Sequence, residues 1–183
     1  MNSESNSNRS DNLVNPWYLL TLVGKDRPGI VAGVTSALYK EGANLGEASM
    51  VQLGGNFTIM VLAQYEGTTD ELSKAILPVA KDFDLRLHVD PVLEPRHQAS
   101  IPDVRITVYG ADRAGIVAEV TTALAEAGLN ILNLETDVGG AIYILIIEGT
   151  ASQGIDALQK VLDNLAREKN LETRLSPIDT LIG

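Results

Sequence analysis

The sequence predicts an α+β protein built from two similar domains in tandem, each a four-stranded antiparallel sheet with two helices on one face. Three observations carry this expectation. First, Gly24–Gly42 and Gly110–Gly128 match at 12 of 19 positions without a gap, 86 residues apart. A spacing that long exceeds a solenoid repeat and suits a duplicated small domain. Second, each copy alternates strand-like apolar runs with helix-like periodicity in the order βαββαβ. Third, glycines stand where those segments change, as chain reversals require.

Residues 1–15 hold five Asn and four Ser and almost nothing apolar before Leu13. Such a segment buries too little to offset its ordering entropy, so it is expected to be a disordered tail. The first domain is expected over 16–94. Trp17–Val23 is apolar and β-prone and forms its first strand. After Gly24, Asp26 is placed to cap a helix and Pro28 to occupy its first turn. Ile30, Val31, Val34, Ala37 and Leu38 then share one helical face until Gly42 stops it. Asn44–Leu53 and Asn56–Tyr65 read as strands joined at Gly54-Gly55, a pair that suits a two-residue hairpin turn.

Thr68 with Glu71 forms a capping-box pattern that opens a second helix. Its apolar face is Leu72, Ala75, Ile76, Val79, Ala80 and Phe83, with Pro78 expected to kink or shorten it. The last strand, near Leu85–Leu93, alternates Leu85, Leu87 and Val89 against Arg86, His88 and Asp90. A Pro-containing linker over 95–102 follows, and the order repeats over 103–183. There Val104–Tyr109 is a strand, and Ile116, Val117, Val120, Ala123 and Leu124 mark a helix that Gly128 stops. Two strands meet at Gly139-Gly140, a helix carries Ile155, Leu158, Leu162 and Leu165, and Leu171–Ser176 closes the unit. Two crossovers interleaved by a central hairpin give the ferredoxin-like arrangement.

Composition narrows the function classes. Apolar residues make up 45% and charged residues 21%, as in a soluble globular protein. The longest apolar run, Ala141–Ile147, is too short to span a bilayer, and no secretory signal is read at the N-terminus. There is no cysteine, which excludes disulfides, thiolate zinc sites and a thiol nucleophile and favours the cytoplasm. Net charge is −10 with Lys and Arg scattered, which disfavours direct nucleic-acid binding.

Asp26-Arg27-Pro28-Gly29-Ile30-Val31, between a strand and a helix and followed by Gly42-Ala43-Asn44, resembles the ACT domain. The second copy, Asp112-Arg113-Ala114-Gly115-Ile116-Val117 with Gly128-Leu129-Asn130-Ile131, resembles it as well. That family consists of small βαββαβ modules that bind amino acids or related ligands and regulate metabolism. Two such modules with nothing attached are similar to the glycine cleavage system transcriptional repressor family. Similar modules precede the catalytic domain of formyltetrahydrofolate deformylases and occur in nitrogen-signalling uridylyltransferases. The resemblance implies a stand-alone, non-catalytic regulator without cofactor or metal, binding a small amino acid such as glycine. It also implies a protein partner, either a transcription factor or an enzyme; the alternative is a ligand-free interaction module docking on such a partner.

In ACT domains the ligand sits between two modules, near the first strand-to-helix loop and the start of the second strand. The resemblance therefore points to Asp26, Arg27, Gly29, Ile30, Asn44 and Leu45, and to Asp112, Arg113, Gly115, Ile116, Asn130 and Ile131. Helix-start N–H groups favour a carboxylate, and Asn can both donate and accept toward an amino acid. Each position also has a structural reading. Asp26 and Asp112 suit helix caps, Gly29 and Gly115 close helix–sheet packing, and Asn44 and Asn130 turns. Ile30 and Ile116 suit the core, and Arg27 and Arg113 are either solvated or carboxylate clamps.

The copies differ where Pro28 becomes Ala114, Glu47 becomes Asn133 and Ser49 becomes Glu135. Glu135 near a site would repel a carboxylate but hold an ammonium, so the two sites are expected to be unequal. An enzyme has little support. His88 and His97 lack an evident partner for base catalysis, and Glu135 with Asp137 reads as a solvated strand face. Met50 and Met60 are expected to fill the core. Exposed sheet edges favour a homo-oligomer.

Overall fold

The computed structural model describes residues 16–93, 100–139 and 142–178. The expected tail, most of the linker with His97, and Gly140 of the second hairpin lie outside the described residues. The chain divides into two compact units, Met1–His97 and Gln98–Gly183. Unit one contains β1 Trp17–Lys25, α1 Ile30–Lys40, β2 Asn44–Leu53, β3 Asn56–Gln64, α2 Thr69–Asp82 and β4 Arg86–Val92. Unit two contains β5 Val104–Ala111, α3 Ile116–Glu126, β6 Leu129–Gly139, β7 Ile142–Ala151, α4 Ile155–Lys169 and β8 Glu172–Pro177. The sheets run β2-β3-β1-β4 and β6-β7-β5-β8 with every neighbour antiparallel. Each unit is thus the βαββαβ sheet with helices on one face.

Alternation along the central strands decides which face is covered. In unit one Leu20, Leu22, Phe57, Ile59 and Val61 are buried beneath Ile30, Val34 and Leu38 of α1 and Leu72, Ile76 and Ala80 of α2. The second core repeats this 86 residues on, with Ile106, Val108, Leu145 and Ile147 under Ile116, Val120, Leu124, Leu158 and Leu162. The spacing of these helix residues is the 3.6 period that gathers one apolar face. Gly54 and Gly55 both have positive φ, as the tight hairpin requires. The capping box is present, with Glu71 N–H donating to the Thr68 hydroxyl and Thr68 N–H donating to the Glu71 carboxylate.

Several expectations are corrected. Helices α1 and α3 start at Ile30 and Ile116, later than expected, with Gly29 and Gly115 as N-caps and no side-chain cap. Asp26 and Asp112 therefore do not cap, and Pro28 lies in the turn before the helix. Helix α2 runs through Pro78 to Asp82 without being shortened. Pro78 is on the exposed side, where the carbonyl it leaves unpaired is within reach of water. Met50 and Met60 are 56% and 44% exposed, so neither fills a core. Met60 faces away from the helices beside Thr21 and Ser49, and Met50 lies on edge strand β2, all of whose residues are exposed.

Candidate functional site: the strand-to-helix corners

The corner after β1 is built by a glycine in the left-handed region. Gly29 has φ +91° and Gly115 has φ +88°, a conformation that a side chain disfavours, so glycine is placed there by backbone geometry. A Cβ on Gly29 would meet only the Phe83 ring, at 3.7 and 3.9 Å. Close packing instead falls at Gly24 and Gly110, where a Cβ would come within 2.7 Å of Leu85 and 2.5 Å of Leu171. The left-handed residue turns the chain directly into α1, whose start carries no side-chain cap hydrogen bond.

Asp26 is tied to the hairpin of its own unit. Its N–H donates to the Gly55 carbonyl at 3.2 Å, and its carboxylate accepts from Gln52 Nε2 at 2.6 Å. Arg27 is exposed and has no ion-pair or hydrogen-bond partner among the described residues. Ile30 and Ile116 are 1% and 2% exposed, so only their backbone is available to a ligand.

The second corner is built differently. Arg113 donates from both terminal nitrogens to the Glu119 carboxylate, at 3.0 and 2.7 Å, and Lys169 Nζ lies 3.5 Å from the same carboxylate. The paired hydrogen bonds from Arg113 hold the Glu119 carboxyl down from 4.5 to about 2. Charge-assisted, two-point geometry of this kind is the strong form of an arginine–carboxylate contact.

Within one unit the structure does not bring the two predicted sets together. Asn44 pairs with Gln64, which pairs with Trp17 at the start of β1, whereas Asp26 follows Lys25 at its end. The nine residues of β1 put roughly 25 Å between them at about 3.3 Å per residue. Asn130 is likewise beside Thr150 near the start of β5, while Asp112 follows Ala111 at its end. A corner and the second-strand start of the same unit therefore do not form one site. Glu135 belongs to neither set: it faces the uncovered side of the second sheet with Arg105, Thr107, Tyr109 and Glu148, accepting from Asn133 Nδ2 at 3.2 Å.

Sequence reasoning did not single out Gln52, Glu119 or Lys169. Its one available signal was the mismatch within the repeat, since Gly33 in the first copy is Glu119 in the second. His88 does have a partner, Asp90 at 3.1 Å, but the side chains are 72% and 51% exposed.

Residues 18–90 and 104–167 each match the model of the ACT domain. A UPF0237 protein of Listeria monocytogenes is 31% identical over 74 residues, 39% of this chain and 83% of that protein. One from Neisseria meningitidis is 41% identical over 63 residues, 34% of this chain and 70% of that protein. This chain belongs to the ACT-domain family. It carries two ACT domains in tandem. Among solved structures, an unknown protein from Galdieria sulphuraria superimposes with a TM-score of 0.69 at 22% identity, over 90% of this chain and 99% of that one. A protein provisionally named a glycine cleavage system transcriptional repressor gives 0.69 at 20% identity, over 90% and 98%. At those identities the two likenesses speak for the tandem ACT fold. No helix among the described residues is long and apolar enough to cross a membrane.

Proposed function

We propose that this chain is a non-catalytic regulatory protein that binds a small amino acid at its ACT-domain corners and signals through a protein partner, a transcription factor or a metabolic enzyme, in the cytoplasm. The observation that carries the reading is the first corner: an α1 without a side-chain cap, opened by a left-handed glycine two residues after Arg27, which is exposed and has no partner among the described residues. Arginine and helix-start N–H groups together suit a carboxylate. Asp26, Arg27, Gly29 and the Ile30 backbone would hold the ligand, and Asn44, Leu45, Asn130 and Ile131, at the second-strand starts, are the further candidate contacts. Asp112, Arg113, Gly115 and Ile116 form the corresponding second corner. Glycine is the first amino acid to test, a choice supported by the name of the structurally similar repressor.

A thermal-shift screen of the twenty amino acids tests the reading. The expected outcome is a concentration-dependent rise in Tm for one or a few small amino acids, abolished by Arg27→Gln. No rise above about one degree at millimolar ligand would remove the support for sensing.

A ligand-free interaction module has one specific observation in its favour. Edge strand β2 is exposed along its length and shows Met50, Val51 and Leu53 at 56%, 58% and 76% exposure. Unpaired edges invite another chain, including a second copy of this one. Under that reading a partner complex forms without amino acid and is unaffected by Asn44→Ala or Asn130→Ala.

A further inference from the structure

The two corners share Asp-Arg-x-Gly-Ile-Val, yet among the described residues one guanidinium is unengaged and the other is occupied. The cause is a pair of substitutions between the repeats. Position 33 is Gly and position 83 is Phe in unit one; 86 residues on they are Glu119 and Lys169. The structural equivalence holds because Asp84 and Asn170, the next residues, both turn the chain with positive φ, at 57° and 52°. In unit one the Phe83 ring lies on the bare backbone of Gly33, where a Cβ would come within 2.8 Å of it. In unit two the ring is gone and a carboxylate fills the corner. That carboxylate is bound two-fold by Arg113, is approached by Lys169, and lies 3.8 Å from where a Cβ on Gly115 would be.

We infer that Glu119 is a built-in carboxylate that occupies Arg113 and closes the second corner to ligand carboxylates, leaving the first corner as the one that receives them. The inference deepens the amino-acid reading and rests on it for the identity of the ligand. Its physical basis is competition at one guanidinium. A tethered carboxylate needs no ordering from solution, so a free one must displace it against a large effective concentration. Neutral pH does not open the corner, because the Glu119 carboxyl stays ionised down to about 2.

Arginine labelling tests this without needing a ligand. The full chain is treated with phenylglyoxal, and the modified peptides are quantified by mass spectrometry, with and without glycine. Arg27 should react about tenfold faster than Arg113, as the difference between a solvated and a two-point-bound guanidinium suggests. Glu119→Gln, or Glu119→Gly with the residue of the first repeat, should bring Arg113 up to the Arg27 rate. Equal rates in the wild-type chain, or an Arg113 still slow in both variants, would overturn the inference. Glycine should slow Arg27 in the wild type and both arginines in Glu119→Gly; slowing of Arg113 in the wild type would also overturn it. If the labelling contrast and its loss in the variants hold but glycine does not slow Arg27, the closure by Glu119 stands and glycine falls as the ligand.

Discussion

Gly29 and Gly115 show how one residue type can serve a purpose other than the expected one. Both matched positions suggested close packing, but the geometry that needs them is φ near +90°. Gly29→Ala has room for its methyl, so its cost is conformational, and a loss of about 1–2 kcal/mol is expected from the urea midpoint. Glu119 makes a prediction of different kind. Its carboxyl is held at about 2 in the folded chain, below the roughly 4.3 of an unfolded glutamate. The folded state therefore favours the ionised form, and that contribution is fully present above about pH 5. It is lost as pH falls through 4 toward 2. Urea midpoints at pH 7 and pH 3 should fall further for the wild type than for Glu119→Gln, in which the side chain no longer titrates.

Helices α1 and α2 illustrate the same contrast between elements. The start of α2 is closed by its own sequence, with Thr68 and Glu71 bonding reciprocally. Those bonds hold the Glu71 carboxyl below its usual range, the Thr68 N–H contributing most. Thr68→Ala should cost about 1 kcal/mol in urea unfolding. Helix α1 has no such closure, which is why its start is a candidate for binding and that of α2 is not. The capping box was legible because all its atoms come from four consecutive residues. The true start of α1 was not, because Asp26 is drawn away to Gln52 of β2, a residue distant in the chain. Met50 and Met60 were misread for a related reason. A strand's alternation says that two faces exist, and only strand order says which is covered and which strand is an edge.

Ligand binding and stability are coupled across the whole molecule. A ligand at 100 times its Kd stabilises the bound fold by about 2.7 kcal/mol. For a chain of this length each kcal/mol moves Tm by roughly 2–4 °C. The screen is therefore expected to show a shift of roughly 5–10 °C near saturation for the right amino acid. Both units have their own core, built from residues 86 apart such as Val34 and Val120, so the shift measures a fold each unit already encodes.

The sequence alone determined the duplication, the order βαββαβ, most of each helix face (Val31 and Ile155, read onto those faces, are exposed) and the hairpin glycines Gly54 and Gly55. Those features depend on neighbours within a turn or a strand, where residue period and allowed φ decide the outcome. Only the tertiary structure decided that Asp26 binds Gln52, that Asn44 lies at the far end of the sheet from its own corner, and that Arg113 is engaged by Glu119 while Arg27 is not. These are matters of which side chains meet across separate elements. The two arginines occupy matching places in matching motifs, and what sets them apart is one carboxylate and the lysine behind it.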